Sequence, residues 1–357
     1  MRIAFIYAGG RGARLDSARS GDAPTEFFYG AIEAERRGHE VAVFDLHEEH
    51  HSYVAALYNV LLGGVTPIRT RGEHLISTAS LLKTLEDFDV VAATSTSHAN
   101  ALGVWKRLKK LKPRLVSIHC GLVNFPVTGL RKRTTRWTLG GQWTVLFAEP
   151  ERAEMAARFG LPPERLRTNV FGVDADFWCP GEAARDHVLS VGNDGRRDYE
   201  TLLHAVDGLD APVRIVTSKT LPEPLPSNVE HLRGTWKEPA VSDAELRDLY
   251  RRAAVVVVPL AESLQPSGQS VALQAMACGA PVVLTKTRGL WTGEDFVEGR
   301  EILMASPSDA RKLRHIIEGC LGDPAGMREL GKRARERVCE RGSIGNFASR
   351  LLEICAT

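Results

Sequence analysis

Residues 255–258 are four consecutive valines, preceded by two alanines and closed by Pro259. A strand on a half-solvated sheet alternates apolar and polar side chains. One that is apolar at every position is buried on both faces, which points to a parallel sheet sheathed by helices. Similar runs recur along the chain. Arg2 to Tyr7, Glu40 to Asp45, Val90 to Thr94 and Leu115 to His119 read as strands of a first series, with a helix over Thr25 to Arg37 stopped by Gly38. His187 to Val191, Val213 to Thr217, Val229 to Leu232, Val255 to Pro259 and Pro281 to Leu284 form a second series, separated by helical patterns near 198–207, 243–253, 269–278, 308–320 and 324–340. The pattern is α/β and doubly wound, twice over. At 357 residues the chain is too long for one core and suits two domains. The segment FGVDADFWCPG, Phe171 to Gly181, has no clear period and reads as the boundary.

In open α/β sheets ligands gather at the carboxyl ends of the strands, so the strand-to-helix loops carry the functional candidates. The first, AGGRGAR, holds Gly10 and Gly12, with Leu15 where a dinucleotide fingerprint would place its third glycine. Contact with a phosphate or sugar and a plain tight turn are both open readings. His119 closes its strand and would present an imidazole at the ligand edge, unless it is a satisfied core histidine; His98 is a weaker candidate of the same kind. SVGNDGRRDYETLLHA, from Ser190, sets Arg196 and Arg197 at a helix start, where guanidinium groups and the helix dipole together suit a diphosphate. ESLQPSGQSVALQAMACGAPVVLT, from Glu262, places Ser267, Gly268, Gln269 and Ser270 at the start of a helix of small residues, a second anion cradle.

Two patterns imitate metal sites. His47-Glu48-Glu49-His50-His51 spells HExxH but follows directly on a strand, without a helix or third ligand, and reads as a solvated loop. Asp174-Ala175-Asp176 spells DxD within the boundary segment and is expected to be structural. The six cysteines form no CxxC pair and suit reduced structural thiols. No apolar run is long enough for a membrane helix, and the start of the chain has no signal-peptide pattern, so a cytoplasmic location is expected. The net charge of +2 conceals a basic segment, 101–143, with ten Lys and Arg and no Asp or Glu. Interleaved with Trp105, Phe125, Trp137 and Trp143, it suits an anionic membrane surface, peripheral at the inner face, or a phosphorylated lipid. No nucleic-acid-reading module accompanies it, and no nucleic acid is expected.

The segments RRGHEVAVFD (Arg36 to Asp45), FGLPPERLRTNVFGVDADFWCPG (Phe159 to Gly181), LRDLYRRAAVVVVPLAES (Leu246 to Ser263) and LQAMACGAPVVLTKTRGL (Leu273 to Leu290) resemble the retaining glycosyltransferases of family 4. The resemblance implies a GT-B fold of two facing Rossmann-like domains around a deep cleft. The expected parts are an acceptor domain over 1–178, a nucleotide-sugar domain over 179–343, and a final helix over 344–357 crossing back to the first. It implies a nucleoside-diphosphate sugar, UDP- or GDP-linked, as donor, a glycan or phosphorylated lipid as acceptor, and retention without a metal or other cofactor. His119 and Glu262 are then the catalytic candidates. Gly10, Gly12, Asn193, Arg196, Arg197, Lys219, Ser267, Gly268, Gln269, Ser270 and Gln274 are the donor-binding ones. The family's paired glutamates fall on Pro266 and Gln274; an amide there still bonds ribose hydroxyls, more weakly than a carboxylate. Two other readings compete, a nucleotide-sugar 2-epimerase on the same fold and a catalytically silent nucleotide-sugar-binding protein.

Overall fold

The computed structural model describes residues 1–46, 53–234 and 241–357. It divides into two compact units, one of Met1–Asn169 with Phe347–Thr357, the other of Val170–Asn346.

The first unit is a six-stranded parallel sheet in the order β2-β1-β3-β4-β5-β6. Its strands are β1 (Arg2–Ala8), β2 (Glu40–Leu46), β3 (Val90–Ala93), β4 (Arg114–Ile118), β5 (Trp143–Leu146) and β6 (Leu166–Thr168). β5 and β6 are additional to the strands expected from sequence; three- and four-residue strands carry too few positions to declare a period. The helix expected over Thr25–Arg37 is broken. A short 3-10 turn, Glu26–Phe28, ends at Tyr29 and Gly30, both with left-handed φ (47° and 85°), and the helix proper is Ala31–Arg36. The break has a tertiary cause. A Cβ on Gly30 would lie 2.9 Å from the Cβ of Ala348 in the C-terminal helix Ile344–Ala356. That helix is further held by Asn169 Nδ2 on the Phe347 carbonyl (3.0 Å), Arg114 Nη1 on the Cys355 carbonyl (3.0 Å), and the Phe347 ring against Phe147 and Tyr29.

The second unit is also a six-stranded parallel sheet, ordered β12-β11-β10-β7-β8-β9. The strands are β7 (His187–Val191), β8 (Val213–Val216), β9 (Val229–Leu232), β10 (Ala253–Val258), β11 (Val282–Thr285) and β12 (Leu303–Ala305). The four valines divide by parity. Val256 and Val258 join a cluster with Trp178, Tyr250 and the helix Gln269–Ala277, whereas Val255 and Val257 join one with Leu202, Leu203, Leu313 and Ile317 on the opposite face. Each is fully buried, worth about 1.5–3 kcal/mol of apolar transfer. The segment expected to be a linker belongs to this core. Trp178 is fully buried, edge-on to Phe177 and Tyr250, so Phe171–Trp178 fold with the second unit. Asp174 of the DxD spelling accepts the amides of Asp176 and Phe177, a turn-forming role.

Gly30→Ala is expected to destabilise the first unit by about 2–4 kcal/mol, from the left-handed φ and the collision with Ala348 together. Urea unfolding measures it, and adding Ala348→Gly should recover part of the loss; no recovery would show that the two residues are not in contact.

Candidate functional site

In the second unit the strand order reverses between β7 and β10, which opens a crevice at their carboxyl ends where no helix crosses. The two loops there are joined. Asp198 N donates to the Pro259 carbonyl (3.1 Å), Ala261 N donates to the Arg196 carbonyl (2.8 Å), and Arg197 and Leu260 form an antiparallel bridge. Arg197 lies at the centre of this junction with its side chain almost wholly buried. It passes between two glycines. A Cβ on Gly192 (φ 146°) would lie 2.1 Å from Arg197 Nε, and one on Gly268 (φ 77°) would lie 3.2 Å from Arg197 Nη1 and 2.7 Å from Val258 Cγ1.

The arginine's Nε faces Asp194 Oδ2 at 3.0 Å, but among the described residues its buried Nη1 has no hydrogen-bond partner, and neither has the buried hydroxyl of Ser267. A buried unsatisfied donor costs about 1–3 kcal/mol, more when charged, so this pair of atoms is poised for an acceptor from outside the chain. Gly268 is the N-cap of the helix Gln269–Ala277, whose first-turn amides point the same way as every helix start does, toward negative charge. Asn193 supports the rim: its Oδ1 accepts from Thr217 Oγ1 (3.0 Å), Ser218 N (2.6 Å) and Ser218 Oγ (3.0 Å). Lys219, half-buried, continues that loop, with its amide on Thr217 Oγ1. Arg196 is half-buried beside Arg197.

Other expected residues stand apart from this centre. Glu262 is exposed and paired with Arg288, whose Nε and amide both lie 3.2 Å from Glu262 Oε1. Gln274 is buried and its Oε1 accepts from Tyr250 Oη at 3.2 Å, so its amide faces the core aromatics. Gln269 is buried and Ser270 half-buried in the first helical turn, while Pro266 is buried.

In the first unit the glycine loop follows β1. Gly9 and Gly10 take left-handed φ, and the amides of Gly10 and Gly12 donate to Asp45 Oδ1 (3.1 Å) and Oδ2 (2.8 Å) at the end of β2. The loop's anion is thus a side chain of the protein itself. His119 is fully buried with its Nδ1 3.2 Å from Thr96 Oγ1 and its Nε2 without a partner among the described residues. Burial lowers its pKa to about 4, which keeps the imidazole neutral near pH 7. The loop that follows His119 is bonded to Glu151, a residue absent from the sequence expectations. It is buried, and Oε1 accepts from Gly121 N at 2.6 Å. Burial raises its pKa to about 8, against the lowering effect of the Gly121 and Leu122 amides. Nothing in EPERAEM singles out the second glutamate, since its burial comes from packing under a loop thirty residues away. His98 is buried, with Nδ1 2.8 Å from Ser95 Oγ and its ring edge-on to His74.

The basic segment is partly neutralised. Lys112 pairs with Glu86 at 2.7 Å, Lys106 Nζ is satisfied by the Lys112 and Pro113 carbonyls, and Arg107 and Arg114 lie over the rings of Trp137 and Trp143. Residues 47–51, the HExxH spelling, lie outside the described residues. Among the described residues no three His, Cys, Asp or Glu side chains could share a metal ion, and no helix is long and apolar enough to cross a membrane. Cys179, Cys278, Cys320, Cys339 and Cys355 are free thiols.

The two buried groups carry opposite pH dependences. Glu151, with its folded pKa raised, contributes fully below the ordinary carboxylate value of 4.5 and progressively less as pH rises through about 8. His119, with its folded pKa lowered, contributes fully above 6.5 and less as pH falls through about 4. Glu151→Gln is therefore expected to be more stable relative to the parent at pH 8 than at pH 5, by an amount on the order of 3 kcal/mol. Urea midpoints at the two pH values test this; an equal offset at both would mean that Glu151 is ionised in the fold.

Comparison with known proteins matches each half of the chain. Residues 31–177 match the family model described as glycosyltransferase family 4, and residues 196–353 match the one described as glycosyl transferase-like. The chain is 27% identical over 294 residues to D-inositol 3-phosphate glycosyltransferase 1 of Catenulispora acidiphila, covering 71% of this chain and 68% of that protein. It is 26% identical over 219 residues to the MMP alpha-(1->4)-mannosyltransferase of Mycolicibacterium hassiacum, covering 57% of this chain and 51% of that protein. The chain spans about half the length of most of these curated relatives. Its fold is similar to that of a glycosyltransferase from Rickettsia africae (TM-score 0.72, 13% identity, 99% of this chain and 97% of that one). It is also similar to Anabaena Alr3699/HepE in complex with UDP and glucose (TM-score 0.71, 15% identity, 100% and 99%). At these identities the structural likeness concerns the fold, which is GT-B.

Proposed function

We propose that this chain, which belongs to the group 1, family 4-like glycosyltransferases of GT-B type, moves a sugar from a nucleoside diphosphate to an acceptor hydroxyl with retention and without a metal. The observation that carries the reading is Arg197, buried between Gly192 and Gly268 with Nη1 unsatisfied beside the unsatisfied hydroxyl of Ser267. A donor diphosphate is the chemistry that completes them. As the bond from the anomeric carbon to the diphosphate oxygen breaks, negative charge grows on the leaving group. Preorganised guanidinium, hydroxyl and helix-terminal amide groups stabilise that charge without reorganising. Arg196 and Lys219 add positive charge at the rim. The acceptor oxygen forms the new glycosidic bond, and its proton leaves with the diphosphate.

His119 is assigned to hydrogen-bond the transferred sugar. Its neutral imidazole, oriented at Nδ1 by Thr96, keeps Nε2 for a ligand hydroxyl. UDP or GDP is the proposed nucleotide, and a glycan or lipid-linked glycan the proposed acceptor; the relatives named as mannosyl- and inositol phosphate glycosyltransferases support sugar transfer itself. The catalytically silent reading has one observation in its favour. Pro266 stands where the resemblance calls for a carboxylate, and the nearby Glu262 is engaged by Arg288.

A thermal-shift panel of UDP, GDP, ADP, dTDP and their sugars, with Arg197→Ala beside the parent, is the direct test. One nucleotide series is expected to raise the parent's Tm, and the substitution should weaken its binding about 10- to 100-fold, the worth of a charge-assisted hydrogen bond. No shift with any member would sink the donor assignment, and a shift with no product from any glycan or lipid fraction would select the silent reading. Gln274→Glu is expected to tighten the same nucleotide; unchanged affinity would remove Gln274 from the ribose.

A further inference from the structure

The helix Tyr53–Leu62 of the first unit, YVAALYNVLL, is apolar but for Asn59 and the tyrosine hydroxyls. Residues 52–68 contain no Lys, Arg, Asp or Glu, in a chain of which 25% is charged. A helix that is apolar all round is ordinarily buried. Here only Ala55 is. Tyr53 is 95% exposed, Val54 69%, Leu57 60%, Val60 82% and Leu61 69%, and Ala56 is exposed as well. At about 100° per residue these six positions are neighbours around the helix, over an arc of about 160°. Single exposed apolar residues are ordinary, whereas a contiguous patch marks an interaction surface.

The other side of the helix is fastened to the protein, which fixes the outward face. Ala55 lies on Gly72, where an added Cβ would come 2.8 Å from the Ala55 Cα and carbonyl oxygen. Asn59 clamps the start of the helix Gly72–Leu85: its Oδ1 accepts from Gly72 N (2.8 Å), and its Nδ2 donates to both carboxylate oxygens of Glu73 (3.0 Å). Thr66 Oγ1 donates to the Leu62 carbonyl at 2.7 Å. Ala55 and Asn59 are spaced i, i+4 and so lie on one stripe, on the side away from the exposed arc. A rotation that buried Leu57 and Leu61 would break the Asn59 clamp.

The arc presents on the order of 700 Å² of surface, more than the roughly 300–600 Å² of a typical monomer's largest apolar patch and close to the about 800 Å² that each partner buries in a standard interface. The helix is too short to cross a bilayer, and a helix that lies on one carries Lys and Arg along its polar face, of which this one has none. A charge-free face that includes an aromatic side chain matches the centre of a protein interface. In a two-fold contact a patch meets itself, so a charge on it would face its own copy; an uncharged apolar patch meets itself without that repulsion. We propose that the exposed face of Tyr53–Leu62 docks against the same face of a second copy of this chain, forming a two-fold dimer whose axis passes close to Leu57, the residue nearest the middle of the arc. This contact is independent of the glycosyltransferase reading.

Sedimentation velocity of the full chain over a concentration series tests it, with the parent, Leu57→Arg/Leu61→Arg and, as a control at an exposed apolar residue of the second unit, Val297→Arg. The parent and the control are expected to reach twice the monomer mass, and the double substitution to raise the dimer Kd by about 100-fold at parental Tm. Leu57→Cys, oxidised at the same concentrations, is expected to give a disulfide-linked pair that the parent does not form, and it decides the matter should the two arginines lower Tm. A parent that stays monomeric at every concentration, a dimer indifferent to the double substitution, or no cross-link through Leu57→Cys overturns the proposal. Vesicles of phosphatidylcholine, with and without phosphatidylglycerol, supply the other occupant: a monomeric parent that binds them, and loses that binding in Leu57→Arg/Leu61→Arg, assigns the face to a lipid surface and overturns the dimer.

Discussion

A strand buried on both faces meets water only at its ends, and this constraint arranges both units. The valines of β10 hand alternate side chains to two separate apolar layers, so no polar group can be placed along the strand without losing several kcal/mol. Chemistry is confined to the loops at the carboxyl edge. Where the strand order reverses between β7 and β10, those loops diverge and leave room for a ligand. Arg197 takes the space that the missing side chains of Gly192 and Gly268 provide. The sheet's topology thus creates the crevice, and two glycines admit the charge.

The two units satisfy comparable glycine loops in different ways. In the first, Asp45 already caps the amides of Gly10 and Gly12, so that loop is internally neutralised. In the second, a buried guanidinium nitrogen and a serine hydroxyl are left without partners. Among the described residues, this asymmetry leaves unsatisfied donors at the second unit's loop and none at the amides of Gly10 and Gly12. Glu151 and His119 show burial acting with opposite sign on an acid and a base, since each is pushed toward its neutral form. Both lie at the same loop, and both help to keep it free of charge.

Much of this was legible along the chain. The apolar runs marked nine of the twelve strands among the described residues, and the glycines beside Arg196–Arg197 and Ser267–Gly268 marked the loops that converge. The family-like segments carried the GT-B fold. Other features were not legible because their causes are remote in sequence. Asp45 caps a loop more than thirty residues upstream, Gly30 breaks a helix because Ala348 packs on it, and Trp178 draws a supposed linker into the second core. Gln274 and Glu262 were assigned by alignment to a pattern, whereas their surroundings, Tyr250 and Arg288, were decided by packing.

By itself the sequence determined what local patterning can determine: strands that must be sheathed, glycines that permit close approach, and which loops follow which strands. These depend on side-chain periodicity and backbone freedom, properties of neighbouring residues. Only the tertiary structure decided which charges remain unpaired. Whether a basic side chain is neutralised depends on residues brought near it from elsewhere in the chain: Lys112 finds Glu86, Arg114 finds the Cys355 carbonyl, and Arg69 finds the Phe125 ring.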